Sequence, residues 1–310
     1  RIEEAAAQLD EDRQRLLGEG RRAEADGLAL GQARLWARHG RVEEALGPAR
    51  AAAASEIASD REDGTLLLAR LLAELGRYDE ALDTLGPADP RRPRLAALRV
   101  GVMIDAGREE AASAEVERLL AEAPETDLRL GEMYAERERF DAAIPLLERA
   151  VAREPGSLEG AFRLAAAYER GGRIEDSVAR FEEVLEAAPD FAPALNYLGY
   201  LWIDRGENLE RALRLVRRAV RLDPDNGAYV DSLGWGLYRL GRHEEAVETL
   251  EWAARLEPDD ATVLEHLGDA LAAAGRIEGA ADAYRRALES SGGESPSEAA
   301  RKLERLRTER

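Results

Sequence analysis

The chain has 310 residues, of which 45% are hydrophobic, 35% charged and 5% aromatic, and its formal net charge is −19. That length admits two globular domains or one elongated array, and the acidic balance disfavours nucleic acids and anionic membranes as partners. Cysteine is absent, which excludes disulfides and thiolate metal sites and leaves the redox compartment unreadable.

No apolar run approaches the roughly 20 residues needed to span a bilayer. The Ala-, Leu-, Glu- and Arg-rich composition favours helix throughout, and Lys302 is the only lysine. The first residue is Arg1 rather than methionine, which implies processing or trimming and places any targeting signal outside the sequence.

Residues 1–25 predict a single amphipathic helix, with Ala6, Leu9, Leu16 and Leu17 on its apolar side and Gly18 and Gly20 ending it. Glu3, Glu4 and Ala5 are placed as at the start of the second helix of a hairpin, so this segment reads as a possible half repeat. A turn glycine then recurs at Gly40, Gly76 and Gly107, is replaced by Glu138, and returns at Gly172, Gly206, Gly241 and Gly275. Glycine accepts the left-handed conformation that ends a helix.

Five residues after most of these glycines stands a small residue, as at Ala45, Ala81, Ala112, Ala143, Ser177, Ala246 and Ala280. After Gly206 the matching Ala212 comes one residue late, so that turn carries an insertion. Pro124, Pro155, Pro189, Pro224 and Pro258 close successive units. Gly86, Pro87, Pro90 and Pro93 forbid continuous helix and shorten the second helix of their unit.

The pattern divides the chain into three degenerate units over 26–123, five regular ones over 124–294, and a final helix over 295–310. That helix begins with Ser295 as N-cap, Pro296 in its first turn and Glu298 closing a capping box. Ala299, Leu303 and Leu306 form one narrow apolar stripe, as a terminal capping helix requires. Gly292 and Gly293 before it read as a short hinge.

The dipeptide Leu-Gly recurs at Leu198-Gly199, Leu233-Gly234 and Leu267-Gly268, with Ala mid-unit and Pro at the end. A period of about 34 residues with this pattern resembles the tetratricopeptide-repeat family. The resemblance implies an all-α fold, a right-handed α-solenoid superhelix of tandem helical hairpins, with about eighteen helices.

The block from Leu195 to Gly275 is similar to a narrower group, the C-terminal repeats of proteobacterial tetratricopeptide lipoproteins of the cell envelope. It shares Asp231-Ser232-Leu233-Gly234-Trp235 and the Gly206-Glu207-Asn208 insertion. Some members of that group are outer-membrane-anchored adaptors for carboxyl-terminal processing proteases and their substrates. This likeness implies a periplasmic or outer-membrane-anchored location, with the cytoplasm as the alternative, and a processing protease or its substrate as partner.

Motifs for chemistry are missing. A P-loop needs Gly-Lys-Ser/Thr, and Lys302 follows Arg301. Gly234-Trp235-Gly236 has Arg239 in place of the third glycine of a dinucleotide loop. Asp223 to Gly234 fails as a calcium loop, with Pro224 inside it and glycine at two ligand places. His39 and His243 stand in inter-helix turns more than two hundred residues apart, and no cysteine accompanies them or His266. No catalytic, cofactor or metal residue is therefore assigned. The expected function is a non-catalytic protein-binding scaffold; the alternative is a sensor or dimerisation region of a larger enzyme or regulator.

In a tetratricopeptide array the first helices line a concave groove. With the fourth, seventh, eighth and eleventh places of the repeat taken by the core, the fifth, ninth and twelfth form the adjacent stripe. Those places hold Asn196, Tyr200 and Ile203, then Asp231, Trp235 and Tyr238, then Glu265, Asp269 and Ala272, with Arg239 the one nearby cation. Aromatic residues the core does not need are hot-spot candidates. The other reading is that Tyr200 and Trp235 pack between repeats. Asn196 occupies a place used by the chaperone-tail clamp of some family members, but the lysines of that clamp are missing.

Overall fold

The computed structural model describes residues 2–290 and 298–308 and divides the chain into two compact units, 1–172 and 173–310. Every regular element among the described residues is helical. The first unit contains α1 (Ile2–Gly18), α2 (Arg22–Arg38), α3 (Val42–Ala53), α4 (Ala58–Glu74) and α5 (Tyr78–Leu85). It continues with α6 (Pro93–Asp105), α7 (Glu109–Glu122), α8 (Asp127–Glu136), α9 (Phe140–Arg153) and α10 (Leu158–Arg170). The second unit contains α11 (Ile174–Ala187), α12 (Ala192–Arg205), α13 (Leu209–Leu222) and α14 (Gly227–Arg239), then α15 (His243–Leu256), α16 (Ala261–Ala273), α17 (Ile277–Ser290) and α18 (Glu298–Thr308). Within each unit, consecutive helices pack as hairpins and each hairpin packs on the next. Each unit is a stretch of α-solenoid.

The turns explain why the helices stop where they do. Each turn glycine has a positive φ, for instance +69° at Gly40 and +74° at Gly241. The next N–H then reaches a carbonyl five residues back, as in Arg41 N–H to Trp36 O at 3.0 Å and Arg242 N–H to Leu237 O at 3.0 Å. That bond satisfies a carbonyl the helix would otherwise leave open. Glu138 takes the same turn at φ 58°, and Arg139 N–H bonds Tyr134 O at 3.0 Å. The insertion after Gly206 is absorbed by Asn208, at φ 47°.

The closing prolines act from a fixed distance: α7, α9, α11, α13 and α15 each end two residues before theirs. Where Gly86 and its prolines intervene, α5 is cut to eight residues. Ser295, Pro296, Gly292 and Gly293 lie outside the described residues, and α18 begins at Glu298.

Close approach of the paired helices rests on the glycine of the Leu-Gly pair. A Cβ on Gly199 would stand 2.6 Å from Val216 Cγ1, and one on Gly234 would stand 2.5 Å from Leu250 Cγ. Both distances are too short for real atoms, so α13 and α15 lie against bare backbone. Leu198, Val216, Ala219, Leu250 and Ala253 are completely buried there, and their removal from water drives the stacking.

Candidate functional site

In the second unit, α12, α14 and α16 are the first helices of successive hairpins, and they carry the residues expected to line a groove. The helix starts are fixed by Asn226 Oδ1, which accepts from Tyr229 N–H at 3.2 Å, and by Asp260 Oδ1, which accepts from Thr262 N–H at 2.8 Å. Trp235, half-buried, stacks on Tyr238 at 4.8 Å between ring centres and on His266 of the next first helix at 4.3 Å. The Arg239 guanidinium stands 5.8 Å from the indole centre. The indole Nε1 is buried and has no hydrogen-bond partner among the described residues, and the same holds for Asn196 Oδ1.

Asp231 is buried, and both its oxygens lie 3.0 Å from His266 Nδ1. This pair resembles the orienting half of a catalytic triad. The adjacent hydroxyl, Ser232, donates to Ala228 O at 2.9 Å and is turned into its own helix.

Glu265 and Asp269 are occupied by the chain itself. Lys302 of α18 places Nζ 2.7 Å from Glu265 Oε1 and 2.7 Å from Asp269 Oδ2. The Tyr284 hydroxyl donates to Asp269 Oδ1 at 2.7 Å. Burial and that bond push the Tyr284 phenol far above its ordinary value. Burial of Lys302 works against its charge, yet the hydrogen bonds to Asp269 and Glu265 outweigh it and raise its pKa.

Two expectations need correction. Ile203 is no surface residue: it is fully buried, and its Cδ1 fills the space left by Gly236 of the next hairpin, where a Cβ would stand 2.8 Å away. Arg239 is not the one cation near the stripe, since Lys302 joins it from α18. Arg239 itself donates to Asp204 O at 2.9 Å, next to the C-terminal end of α12, where a positive charge is favoured.

His266 and Lys302 were the residues that sequence reasoning missed. His266 is one place past Glu265, and residues i, i+3 and i+7 share a helix face as well as i, i+4 and i+7 do. A stripe drawn through the sixth, ninth and thirteenth places would have found His266, Trp235 and Arg239 together. Nothing in the sequence pattern places Lys302 against α16.

The site is thus the exposed edge of an α-solenoid made of helical hairpins, a class of protein whose working part is a surface. Sequence models of the tetratricopeptide repeat match residues 104–157 and 232–299, and a second such model matches 134–198. Together they cover more than half of the sequence, and the chain belongs to the tetratricopeptide-repeat family.

It is 28% identical over 185 residues to the TPR repeat-containing protein PA4667 of Pseudomonas aeruginosa, a match covering 58% of this chain and 31% of that protein. It is 26% identical over 188 residues to tetratricopeptide repeat protein 37 of Xenopus laevis, covering 54% of this chain and 12% of that protein. The chain therefore spans less than a third of the length of these relatives. Among solved structures, a thermophilic TPR protein of Thermus thermophilus is similar with a TM-score of 0.49 and 24% identity, covering 60% of this chain and 98% of that one. MamA AMB-1 is similar with a TM-score of 0.47 and 25% identity, covering 54% and 99%.

Proposed function

We propose that the chain is a non-catalytic adaptor that holds a partner protein, or an extended segment of one, against the first helices of its second unit. One observation carries this reading: Trp235 Nε1 and Asn196 Oδ1 are a buried donor and a buried acceptor without partners among the described residues. Leaving such groups unmade costs about 1–3 kcal/mol each. A partner's backbone could satisfy them only once the neighbouring side chains shift, and the half-exposed Tyr200 and Tyr238 supply the apolar area that such a partner meets first.

The finer assignment is an envelope adaptor whose partner is a carboxyl-terminal processing protease or its substrate. It rests on the likeness of Leu195–Gly275 to the envelope lipoproteins. A second reading, a repeat region within a larger regulator or enzyme, draws support from the greater length of the relatives.

The test is site-specific photo-crosslinking in the source cell, with the photoreactive residue at Tyr200 and, as a control, at Arg255 of α15. The adaptor reading expects a discrete adduct from position 200 that is absent from 255 and is identified by mass spectrometry as one protein. Adducts from 255 alone, or none from 200, overturn it. An adduct that contains no processing protease or protease substrate overturns the finer assignment and leaves the adaptor reading standing.

A further inference from the structure

Lys302 is the single lysine among 44 lysine and arginine side chains, and it occupies a seat that the α16–α17 hairpin builds without it. Tyr284 of α17 is 2% exposed and lies against Gly268 of α16, where a Cβ would stand 2.4 Å from its ring atom Cε1. Its hydroxyl donates to Asp269 Oδ1 at 2.7 Å and fixes that carboxylate from behind. Glu265 stands one helical turn before Asp269, so both acids project from one face of α16. With the tyrosine ring centre 6.0 Å from Nζ, they form a clamp for one cation.

The clamp suits an ammonium better than a guanidinium. One Nζ donates to Glu265 Oε1 and to Asp269 Oδ2 at 2.7 Å each. An ammonium is a compact charge whose three donors can be divided between two acceptors, whereas a guanidinium is a flat fork that matches a single carboxylate. Apolar burial adds little to the hold on α18: among its described side chains only Ala299 and Leu303 are buried. Glu265 and Asp269 take the repeat places that hold Asp231 and Trp235 one hairpin earlier, so α18 lies on the last part of the stripe.

We propose that α18 is an internal plug, and that its seat takes a lysine-bearing amphipathic helix of a partner protein in its place. The proposal rests on the adaptor reading for the partner and deepens it: this end of the stripe recognises a helix and stays occluded until α18 is displaced. Two carboxylates meet one ammonium, so the seat selects a cation. Ala299, Lys302 and Leu303 reach the hairpin together only at helical spacing, so it selects a helix with alanine three residues before the lysine and leucine directly after it. Because α18 belongs to the same chain it competes as an intramolecular ligand, and a partner binds only the fraction of chains in which the seat is empty.

The probe is a fluorescein-labelled peptide, Glu-Ala-Ala-Gln-Lys-Leu-Glu-Gln-Leu-Gln-Thr, which follows α18 with its arginines replaced by glutamine. It is titrated with the full chain, as parent and as Lys302→Met, and followed by anisotropy. The parent should bind it weakly and Lys302→Met roughly 10-fold more tightly or better, because the variant's own helix has lost its ammonium. Adding Asp269→Asn to Lys302→Met should reverse the gain, and so should methionine in place of the lysine of the peptide. On the parent, with no substitution to disturb folding, an excess of probe should speed hydrogen exchange of the amides of 298–308 as α18 leaves its seat.

The proposal is overturned if parent and Lys302→Met bind the probe equally, or if the methionine peptide binds Lys302→Met as well as the lysine peptide does. It is also overturned if an excess of probe leaves exchange in 298–308 unchanged. None of these outcomes touches the crosslink at position 200, so failure of this inference and failure of the adaptor reading are told apart.

Discussion

The rings of Trp235 and His266 stack at 4.3 Å with their planes 13° apart, joining the first helices of two successive hairpins. Tyr238 stacks on the same indole at an angle of 16°. Trp235 therefore helps to hold α14 against α16 while its Nε1 is buried without a partner among the described residues. Trp235→Ala should lower stability by about 3 kcal/mol, the lower end for a buried aromatic because this one is half-buried. Trp235→Phe should keep most of that stability and lose the donor. Thermal unfolding of both variants, with partner capture on the Phe variant, separates the two roles. A Phe variant that captures partner as well as the parent would show that the donor is idle.

Glu138 occupies, at φ 58°, a turn that glycines such as Gly40 and Gly241 make elsewhere among the described residues. A non-glycine residue there carries a penalty of roughly 1–2 kcal/mol. Its ion pair with Arg170 is exposed and offsets little of that. Glu138→Gly should raise stability by about 1 kcal/mol, read as a shift in the midpoint of urea unfolding with unchanged slope. A lower midpoint would mean that the Arg170 pair outweighs the strain.

Two glycine-to-alanine changes should differ in sign. At Gly234 the new Cβ meets Leu250 at 2.5 Å, so α15 must retreat; that strain, typically about 1–3 kcal/mol, exceeds the helix propensity gained. At Gly31, inside α2, the Cβ meets nothing within 4 Å, and the change should stabilise by about 0.5–1 kcal/mol. Melting temperatures of the two variants check this directly. A Gly234→Ala variant that melts at or above the parent would undo the packing argument for the Leu-Gly pair.

The pH dependence follows from opposite shifts at the two ends of the scale. Hydrogen bonds from arginine hold Glu80, Glu109 and Glu245 below their ordinary value of 4.5. Their contribution is present above pH 4.5 and fades as pH falls through the lowered values. Lys302 binds its proton more tightly in the folded chain, so its contribution is full below its ordinary 10.5 and is lost as pH rises through the raised value.

Lys302→Met should cost roughly 1–2 kcal/mol at neutral pH, less than a fully buried pair because solvent reaches it. The difference in melting temperature between Lys302→Met and the parent should shrink at the alkaline end. A difference that stays constant to about pH 11.5 would mean that the contacts of α18 owe nothing to the charge.

Residue spacing alone determined the hairpins. Turn glycines such as Gly40 and Gly241, the prolines two residues past their helices, and the eight-residue α5 are local consequences of backbone sterics, which need no partner to act. The core half of each first helix follows from 3.6-residue periodicity for the same reason.

What faces outward was decided by tertiary structure. Ile203 and Trp235 occupy neighbouring places of one predicted stripe, yet Ile203 sinks into the gap beside Gly236 while Trp235 stays half-exposed on His266. The outcome depends on which side chain of the next hairpin is missing or bulky. Charge behaves likewise: Glu265 and Asp269 read as open acids until Lys302, more than thirty residues away, bridges them. Arg129 and Arg163 recur at the repeat period in the sequence, but the cleft they share with Arg70 and Arg170 exists only once the hairpins of the first unit are stacked. Helix periodicity fixes which residues share a face, and only the packing of neighbouring hairpins fixes which of those faces meet solvent.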